Sequence, residues 1–221
     1  MAADPTILER LAVARPTVRS RPWLAMSMVS ALDGGTAISG KSGGLGNDTD
    51  REVLKTMRSL ADMVLVGAGT VRAEKYRVPA RKELRLVVVS GRLDLDWDNP
   101  LWHSDQVTVL TTAQAPPAPN GVQVLRAGTD RVDLAVAINE LHEQLRAQMI
   151  VCEGGPSLNG QLLELDLVDE VVLTLSPFAL AGPSSRIAHA DSEVIRRFTL
   201  AHALPDGDWL FLRYVRPVTT S

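Results

Sequence analysis

The sequence has very few of the residues that build disulfides, metal centres and base-stacking surfaces. With one cysteine, Cys152, an intramolecular disulfide and a cysteine-based zinc site are excluded. The four histidines are widely spaced and have no HxxxH or HxE context, so we predict neither a metal site nor a Ser-His-Asp triad. Aromatic residues make up 4% of the chain and its net charge is −3, which argues against a nucleic-acid surface.

Long apolar runs are missing as well. No run approaches the ~20 residues of a membrane span, and the charged start, MAADPTILERLAVARP, lacks the apolar stretch of a signal peptide. We therefore expect a soluble cytoplasmic protein. A hydrophobic content of 45% is that of an ordinary globular domain. Because no repeat or linker divides the chain, we predict a single domain over 1–221, in which 1–21 form a loosely attached lead-in.

Short apolar segments alternate with helical patterns along the chain. The near-continuous apolar runs, typical of strands covered on both faces, are 64–66, 87–89, 107–110 and 149–152. Helical spacing recurs over 49–61, where Thr49 and Glu52 have the spacing of a capping box, and over 134–145. Two final strands flank the turn 205–208. The pattern predicts an α/β fold with a mostly parallel central sheet flanked by helices and an antiparallel C-terminal hairpin.

One turn, EGGPS, follows the apolar run 149–152 and opens a helical pattern. Backbone N–H groups and the helix dipole favour an anion at such a helix start, and the paired glycine lets a ligand approach the backbone. The turn therefore predicts a phosphate site, although an ordinary β–α connection would have the same pattern. Burial of Glu153 at the strand end would suit it as a proton donor or substrate ligand. The alternative is a carboxylate satisfied by the Gly154 and Gly155 amides.

Small and hydroxyl residues also follow other predicted strands, at Gly67 to Thr70, Ser90 and Thr111. In open α/β sheets, ligands bind at the carboxyl ends of the strands. The clustering therefore indicates a nucleotide site, although each hydroxyl taken singly would also serve as a turn former. The glycine-rich segment 36–47 has little to contribute to a core, and we predict a surface loop.

Several charged side chains are candidates for acid–base chemistry or anion binding. Asp33 precedes a glycine pair, where a turn aspartate that accepts backbone N–H bonds is the favoured interpretation. Glu74 lies in a polar stretch that we predict to be a loop, either as an acid–base residue or as a solvated charge. Three arginines could bind a phosphate or carboxylate by bidentate hydrogen bonds or could lie in solvent: Arg58, Arg77 and Arg81.

Three motifs resemble a known family: SALDGGTAISGKSGG, MRSLADMVLVGAGTVRAE and IVCEGGPSLNGQLLELDLVDEVVLTLSPFALAG. They resemble the C-terminal reductase domain of the bifunctional riboflavin-synthesis enzyme, from Trp23 to the final hairpin. The resemblance implies a fold like that of dihydrofolate reductase. It also implies a homodimer that uses NADPH to reduce 5-amino-6-(5-phosphoribosylamino)uracil at the ribose C1′. The zinc-binding deaminase signature of the bifunctional enzyme is absent, so we expect the reductase step alone.

The resemblance also implies which residues bind and react. The cofactor-binding residues are Gly44, Thr70, Ser90, Gly154, Gly155, Pro156, Ser157, Leu158, Asn159, Gly160 and Gln161. The substrate-binding residues are Ser42, Arg58, Arg81 and Glu153, with the arginines toward the phosphate. Glu74 is implied as the catalytic residue near the nicotinamide, and Asp33 as a structural residue.

The sequence departs from the family pattern in two places. Glu74-Lys75-Tyr76 stands where the family has Asp-Asn/Asp-Pro, which reshapes the loop over the nicotinamide, and Ser30-Ala31 stands in place of Ala-Ser. These departures leave two alternatives open. One is a reductase of the same fold that acts on another heterocycle, such as dihydrofolate. The other is a nucleotide-binding protein without turnover.

Overall fold

A nine-stranded sheet organises the chain. The computed structural model describes residues 5–15 and 20–217. The strands are β1 Trp23–Ser30, β2 Met63–Gly67, β3 Arg85–Val89, β4 Val107–Thr111, β5 Gln123–Arg126, β6 Met149–Cys152, β7 Glu170–Leu175, β8 Thr199–Asp206 and β9 Trp209–Val215. The helices are α1 Pro5–Leu11, α2 Asp48–Leu60, α3 Ala68–Glu74, α4 Leu134–Leu145 and α5 Pro156–Glu164, with a 3-10 helix at Pro100–His103.

The sheet has the order β5-β4-β3-β2-β6-β1-β7-β9-β8. The first seven strands in this order pair in parallel with their neighbours. The strand β9 pairs antiparallel with both β7 and β8. The predicted fold class is therefore confirmed. Because β6 lies between β1 and β2, the carboxyl ends of these three strands meet at one place, where open α/β sheets bind ligands.

Each face of the sheet carries its own apolar core. Successive strand residues point to opposite faces, so Val64 and Val66 join one core and Met63 and Leu65 join the other. The first core includes the buried apolar side chains of α1 and α2, and the second includes those of α4 and α5. This two-sided burial explains the continuous apolar runs in the sequence.

Two details of the helices differ from the prediction. The N-cap of α2 is Asn47, whose side chain accepts the backbone N–H of Asp50 at 2.9 Å. Thr49, the predicted capping residue, instead donates its hydroxyl to Asp206. The helix α3 was not predicted, because it has only seven residues and begins with Ala68 and Gly69. The predicted loop from Glu74 therefore begins one residue later, at Lys75.

The prediction of a loosely attached lead-in is wrong for residues 5–15. Ile7 and Leu11 are each 1% exposed in the first core. The Arg15 guanidinium donates to the Glu170 carboxylate through Nε at 3.0 Å and through Nη2 at 2.5 Å. The same carboxylate accepts Trp23 Nε1 at 3.0 Å. The predicted lead-in also includes residues 1–4 and 16–19, which lie outside the described residues.

Across the described parts of the chain, 5–15 and 20–217, there is no helix with the length and apolar character to cross a membrane.

Candidate active site

Two strand–glycine–helix connections lie side by side at the carboxyl edge of the sheet. They join β2 to α3 and β6 to α5, and the Gly67 N–H donates to the Gly154 carbonyl at 2.7 Å. Gly154 has φ +87°, in the left-handed region that favours glycine, and its peptide bond to Gly155 is cis. A Cβ on Gly155 would lie 2.8 Å from Thr70 Oγ1. The starts of α3 and α5 are therefore packed against each other.

A cavity of about 900 Å³ lies beside these two turns. Its walls come from β1, from the glycine-rich loop 36–42, from α2, from the segment 69–86 and from the turn 153–156. The predicted site residues that line it are Ser42, Arg58, Thr70, Glu74, Arg81, Glu153, Gly155 and Pro156. The fold thus brings the implied substrate-binding residues to one cavity with part of the implied cofactor turn.

The other predicted residues lie outside the lining of this cavity: Gly44, Ser90, Gly154, Ser157, Leu158, Asn159, Gly160 and Gln161. Leu158 belongs to the second core, and Asn159 is fully buried, with Nδ2 donating to the Ile187 carbonyl at 2.6 Å. A Cβ on Gly160 would lie 1.8 Å from the His189 carbonyl oxygen. These three positions hold α5 against the rest of the fold.

The Glu153 carboxylate is the best-connected polar group in the cavity. It is 8% exposed, and Arg58 donates to it through Nε at 2.7 Å and Nη2 at 2.6 Å. The Tyr76 hydroxyl donates to the same carboxylate at 2.5 Å, and the Arg58 guanidinium carbon lies 5.6 Å from the centre of the Tyr76 ring. The partners of Glu153 are therefore Arg58 and Tyr76 rather than the glycine amides. We call these three residues the Glu153 cluster.

Two members of this cluster, Tyr76 and Arg58, have raised pKa values. Burial raises the pKa of Tyr76 well above its usual value, and the charge of Glu153 adds to the effect. The hydrogen bond to Glu153 raises the pKa of Arg58. The tyrosine therefore keeps its proton, and the guanidinium keeps its charge. Tyr76 is the residue that sequence reasoning missed, and the only signal was its position within the departure from the family motif.

Glu74 connects α3 with the glycine-rich loop. It is the last residue of α3, and Lys75 closes the helix in a left-handed conformation with φ 53°. Glu74 Oε1 accepts the backbone N–H of Ser42 at 2.7 Å. The carboxylate is half-buried and holds the loop at the cavity, so the interpretation as a solvated surface charge is wrong.

Five basic side chains line the cavity: Lys55, Arg58, Lys75, Arg77 and Arg81. Arg81 is anchored to the end of α2, because its Nη2 donates to the Arg58 carbonyl at 3.1 Å and also to the Ala61 carbonyl. Lys55 donates to Glu52 at 2.6 Å. Clustered cations at a concave surface attract an anion such as a phosphate.

Asp33 has the structural position that was predicted. Its carboxylate accepts the backbone N–H groups of Leu180 at 2.8 Å, Ala181 at 2.7 Å and Gly35 at 3.3 Å. These bonds, that of Ala181 foremost, lower the pKa of Asp33. The residue is not part of the cavity lining. In the described residues, no group of three or more histidine, cysteine, aspartate or glutamate side chains is placed to hold a metal ion.

The sequence is similar to those of several named proteins. The sequence is 29% identical over 181 residues to the 2,5-diamino-6-ribosylamino-4(3H)-pyrimidinone 5′-phosphate reductase of Methanothermobacter thermautotrophicus, which covers 75% of this chain and 82% of that protein. It is 26% identical over 174 residues to the riboflavin biosynthesis protein RibD of Mycobacterium tuberculosis. That match covers 75% of this chain but only 45% of the relative, so the chain corresponds to about half of a RibD protein.

Solved structures that resemble this chain include a protein of the same kind. A pyrimidine reductase-like protein from Corynebacterium diphtheriae superposes with a TM-score of 0.81 at 27% identity, covering 95% of this chain and 98% of that one. The dihydrofolate reductase of Enterococcus faecalis superposes with a TM-score of 0.53 at 15% identity over 88% and 96% of the two chains, which supports the predicted fold. The family model of the RibD C-terminal domain matches residues 22–211. The chain therefore belongs to the RibD C-terminal domain family.

Proposed function

We propose that this protein is the pyrimidine reductase of riboflavin biosynthesis. In this proposal it reduces 5-amino-6-(5-phosphoribosylamino)uracil, or the 2-amino counterpart of that compound, at the ribose C1′. The observation that carries the proposal is the common cavity, in which the Glu153 cluster and several cations lie beside the turns that begin α3 and α5. The names of the archaeal and RibD relatives support the same reaction.

The β6–α5 turn suits the phosphates of a dinucleotide. Gly155 presents bare backbone next to Thr70, and Pro156 opens α5 without needing a hydrogen-bond partner for its nitrogen. We propose that NADPH binds here and contacts Thr70, Ser90, Gly44, Gln161 and the turn residues from Gly154 to Ser157, while Leu158, Asn159 and Gly160 hold α5 in place behind them. When bound, NADPH supplies the hydride.

The side chains of the cavity have separate tasks in this proposal. Arg81, together with Lys55, holds the substrate phosphate by charge. The Glu153 cluster binds the ribosylamino part in a fixed orientation, since all three of its members are held by one another. Glu74 keeps Ser42 and its loop at the substrate and is the proposed catalytic group near the nicotinamide.

We further propose that the enzyme is a cytoplasmic homodimer that prefers NADPH to NADH and binds no nucleic acid. The dimer and the NADPH preference are supported by the family resemblance. The net charge of −3 is consistent with a protein that leaves nucleic acids unbound.

The direct test follows NADPH absorbance with the ribosylaminopyrimidine 5′-phosphate and, separately, with dihydrofolate. We expect oxidation with the first compound and none with the second. Oxidation with dihydrofolate alone would contradict the proposal. Tight NADPH binding without turnover of either compound would instead support the nucleotide-binding alternative, and the same assay with NADH measures the cofactor preference.

A further inference from the structure

Helix α2 presents three different chemical groups to the cavity at helical spacing. Asp50, Leu54 and Arg58 are separated by four residues each, so they lie on one face of the helix, and all three line the cavity. At 1.5 Å per residue, Asp50 and Arg58 are about 12 Å apart along the helix axis. The face therefore has a carboxyl group at one end, an apolar side chain in the middle and a cation at the other end.

Asp50 differs from an ordinary acidic residue in the first turn of a helix. Its neighbour Asp48 is exposed and pairs with Arg51 on the surface, which suits the helix dipole. The Asp50 carboxyl is instead packed against β7, where it is hydrogen-bonded to the hydroxyl of Thr174, a residue that is 1% exposed. Burial raises the pKa of Asp50, while the Thr174 bond and the charge of Arg51 oppose the rise.

The capping of α2 does not occupy the Asp50 carboxyl. Asn47 caps the helix through the backbone N–H of Asp50. A carboxylate offers about four lone-pair positions, and Thr174 uses one of them. The carboxyl group thus has acceptor capacity to spare at the wall of a cavity that basic side chains also line.

We propose that Asp50 binds the heterocycle of the substrate and selects a 2-aminopyrimidin-4-one ring over a 2-oxo (uracil) ring. The inference rests on the proposed function, and it names the form of the pyrimidine that this site takes. The ring N–H and the neighbouring exocyclic NH₂ of a 2-aminopyrimidinone are two parallel donors, which match the two oxygens of a carboxylate. Uracil offers one donor and one acceptor at the same edge, so one carboxylate oxygen would face a carbonyl oxygen.

The substrate then lies along the exposed face of α2. The heterocycle is at Asp50, the sugar passes Leu54 toward the Glu153 cluster, and the phosphate reaches Arg81 and Lys55. A site built to pair with a donor disfavours the analogue that lacks it, and we expect a preference in kcat/KM of at least about tenfold.

The test compares two substrates that differ only at position 2 of the ring, the 2-amino and the 2-oxo ribosylaminopyrimidine 5′-phosphates. The variants are Asp50→Asn and, as a control that removes one charge from the same helix turn, Asp48→Asn. We expect the wild type and Asp48→Asn to favour the 2-amino substrate. Asp50→Asn presents one acceptor and one donor, which match the uracil edge, so its preference should disappear or reverse. Unfolding curves of all three proteins establish that they are folded.

The possible results separate the inference from the proposed function. Turnover without a preference for the 2-amino substrate, or an equal loss with both substrates in Asp50→Asn, would overturn the role of Asp50 and leave the function standing. If no protein turns over either substrate, the proposed function fails. In that case the role of Asp50 is tested by calorimetry, which measures the binding of the free heterocycles 2,5,6-triaminopyrimidin-4-one and 5,6-diaminouracil. Selective loss of the first in Asp50→Asn supports the inference, and equal binding of both by the wild type overturns it.

Discussion

Two buried carboxylates lie at opposite ends of the parallel strands, and each is bonded to the same kinds of side chain. Glu170, at the start of β7, is fully buried and is bonded to Arg15, Arg213 and the indole of Trp23. Glu153, just after the end of β6, is bonded to Arg58 and the hydroxyl of Tyr76. Each carboxylate thus has guanidinium donors and one neutral aromatic donor.

What separates the two clusters is access. The side chains of Arg15 and Arg213 are 4% and 11% exposed, whereas that of Arg58 is 38% exposed and lines the cavity. The Glu170 cluster binds the N-terminal segment to the sheet, and the Glu153 cluster has a free side that a ligand can reach. Position in a parallel sheet, rather than residue type, decides which buried ion pair supports a site.

The largest effect is expected for Glu170→Gln, which leaves two buried guanidinium groups without their anion. We expect the free energy of unfolding to fall by about 3–5 kcal/mol, as measured by urea denaturation. The matched control is Asp166→Asn, because Asp166 is half-exposed and pairs with Arg196 and Arg216 at the surface. Its loss should cost about 1 kcal/mol or less. Equal losses in the two variants would contradict the comparison.

The same cluster gives the stability a defined pH dependence. Burial by itself would raise the pKa of Glu170, but the hydrogen bonds from Arg15 and Arg213 outweigh it, and the pKa is lowered. A lowered pKa stabilises the fold above the pKa of the unfolded chain, and this contribution is lost as the pH falls through the folded value. The difference between wild type and Glu170→Gln should therefore narrow below about pH 4.

Glu153→Gln should reverse the balance between stability and activity. We expect kcat/KM to fall about hundredfold, equivalent to about 2.7 kcal/mol, because Arg58 and Tyr76 lose the group that orients them. The free energy of unfolding should fall by only about 1 kcal/mol, because solvent reaches the freed Arg58. Steady-state kinetics and urea denaturation on one preparation measure both quantities. A loss of stability as large as that of Glu170→Gln would mean that the two clusters do not differ.

The sequence was informative about elements whose evidence is local. Continuous apolar runs predict the parallel strands, and the position of Glu153 after one of these runs predicts its burial. The ion pair of Arg15 with Glu170 joins residues 155 positions apart and leaves no local pattern, so the sequence alone predicts a loosely attached lead-in. Tyr76 was missed because a single tyrosine in a polar stretch has no periodicity to place its hydroxyl. Asp50 lies in the first turn of a helix, where acidic residues are common, so nothing in the sequence singles it out.

A third carboxylate, Glu74, tests whether contact with the cavity is enough for a catalytic role. Glu74→Gln keeps an acceptor for the Ser42 N–H but removes the charge. We expect kcat to fall about tenfold and NADPH affinity, measured by fluorescence titration, to stay nearly unchanged. An unchanged kcat would remove Glu74 from the mechanism and leave it as the residue that holds the loop.

The smallest effect is expected where the two clusters are most alike, at their neutral aromatic donors. Tyr76→Phe removes one hydrogen bond to Glu153 and keeps the ring beside Arg58. One such bond contributes about 0.5–1.5 kcal/mol, so we expect KM for the substrate to rise about three- to tenfold with little change in the unfolding midpoint. Trp23→Phe removes the corresponding bond to Glu170 and should lower the midpoint while KM stays constant. If both variants change the same quantity, access to the cavity does not separate the two clusters.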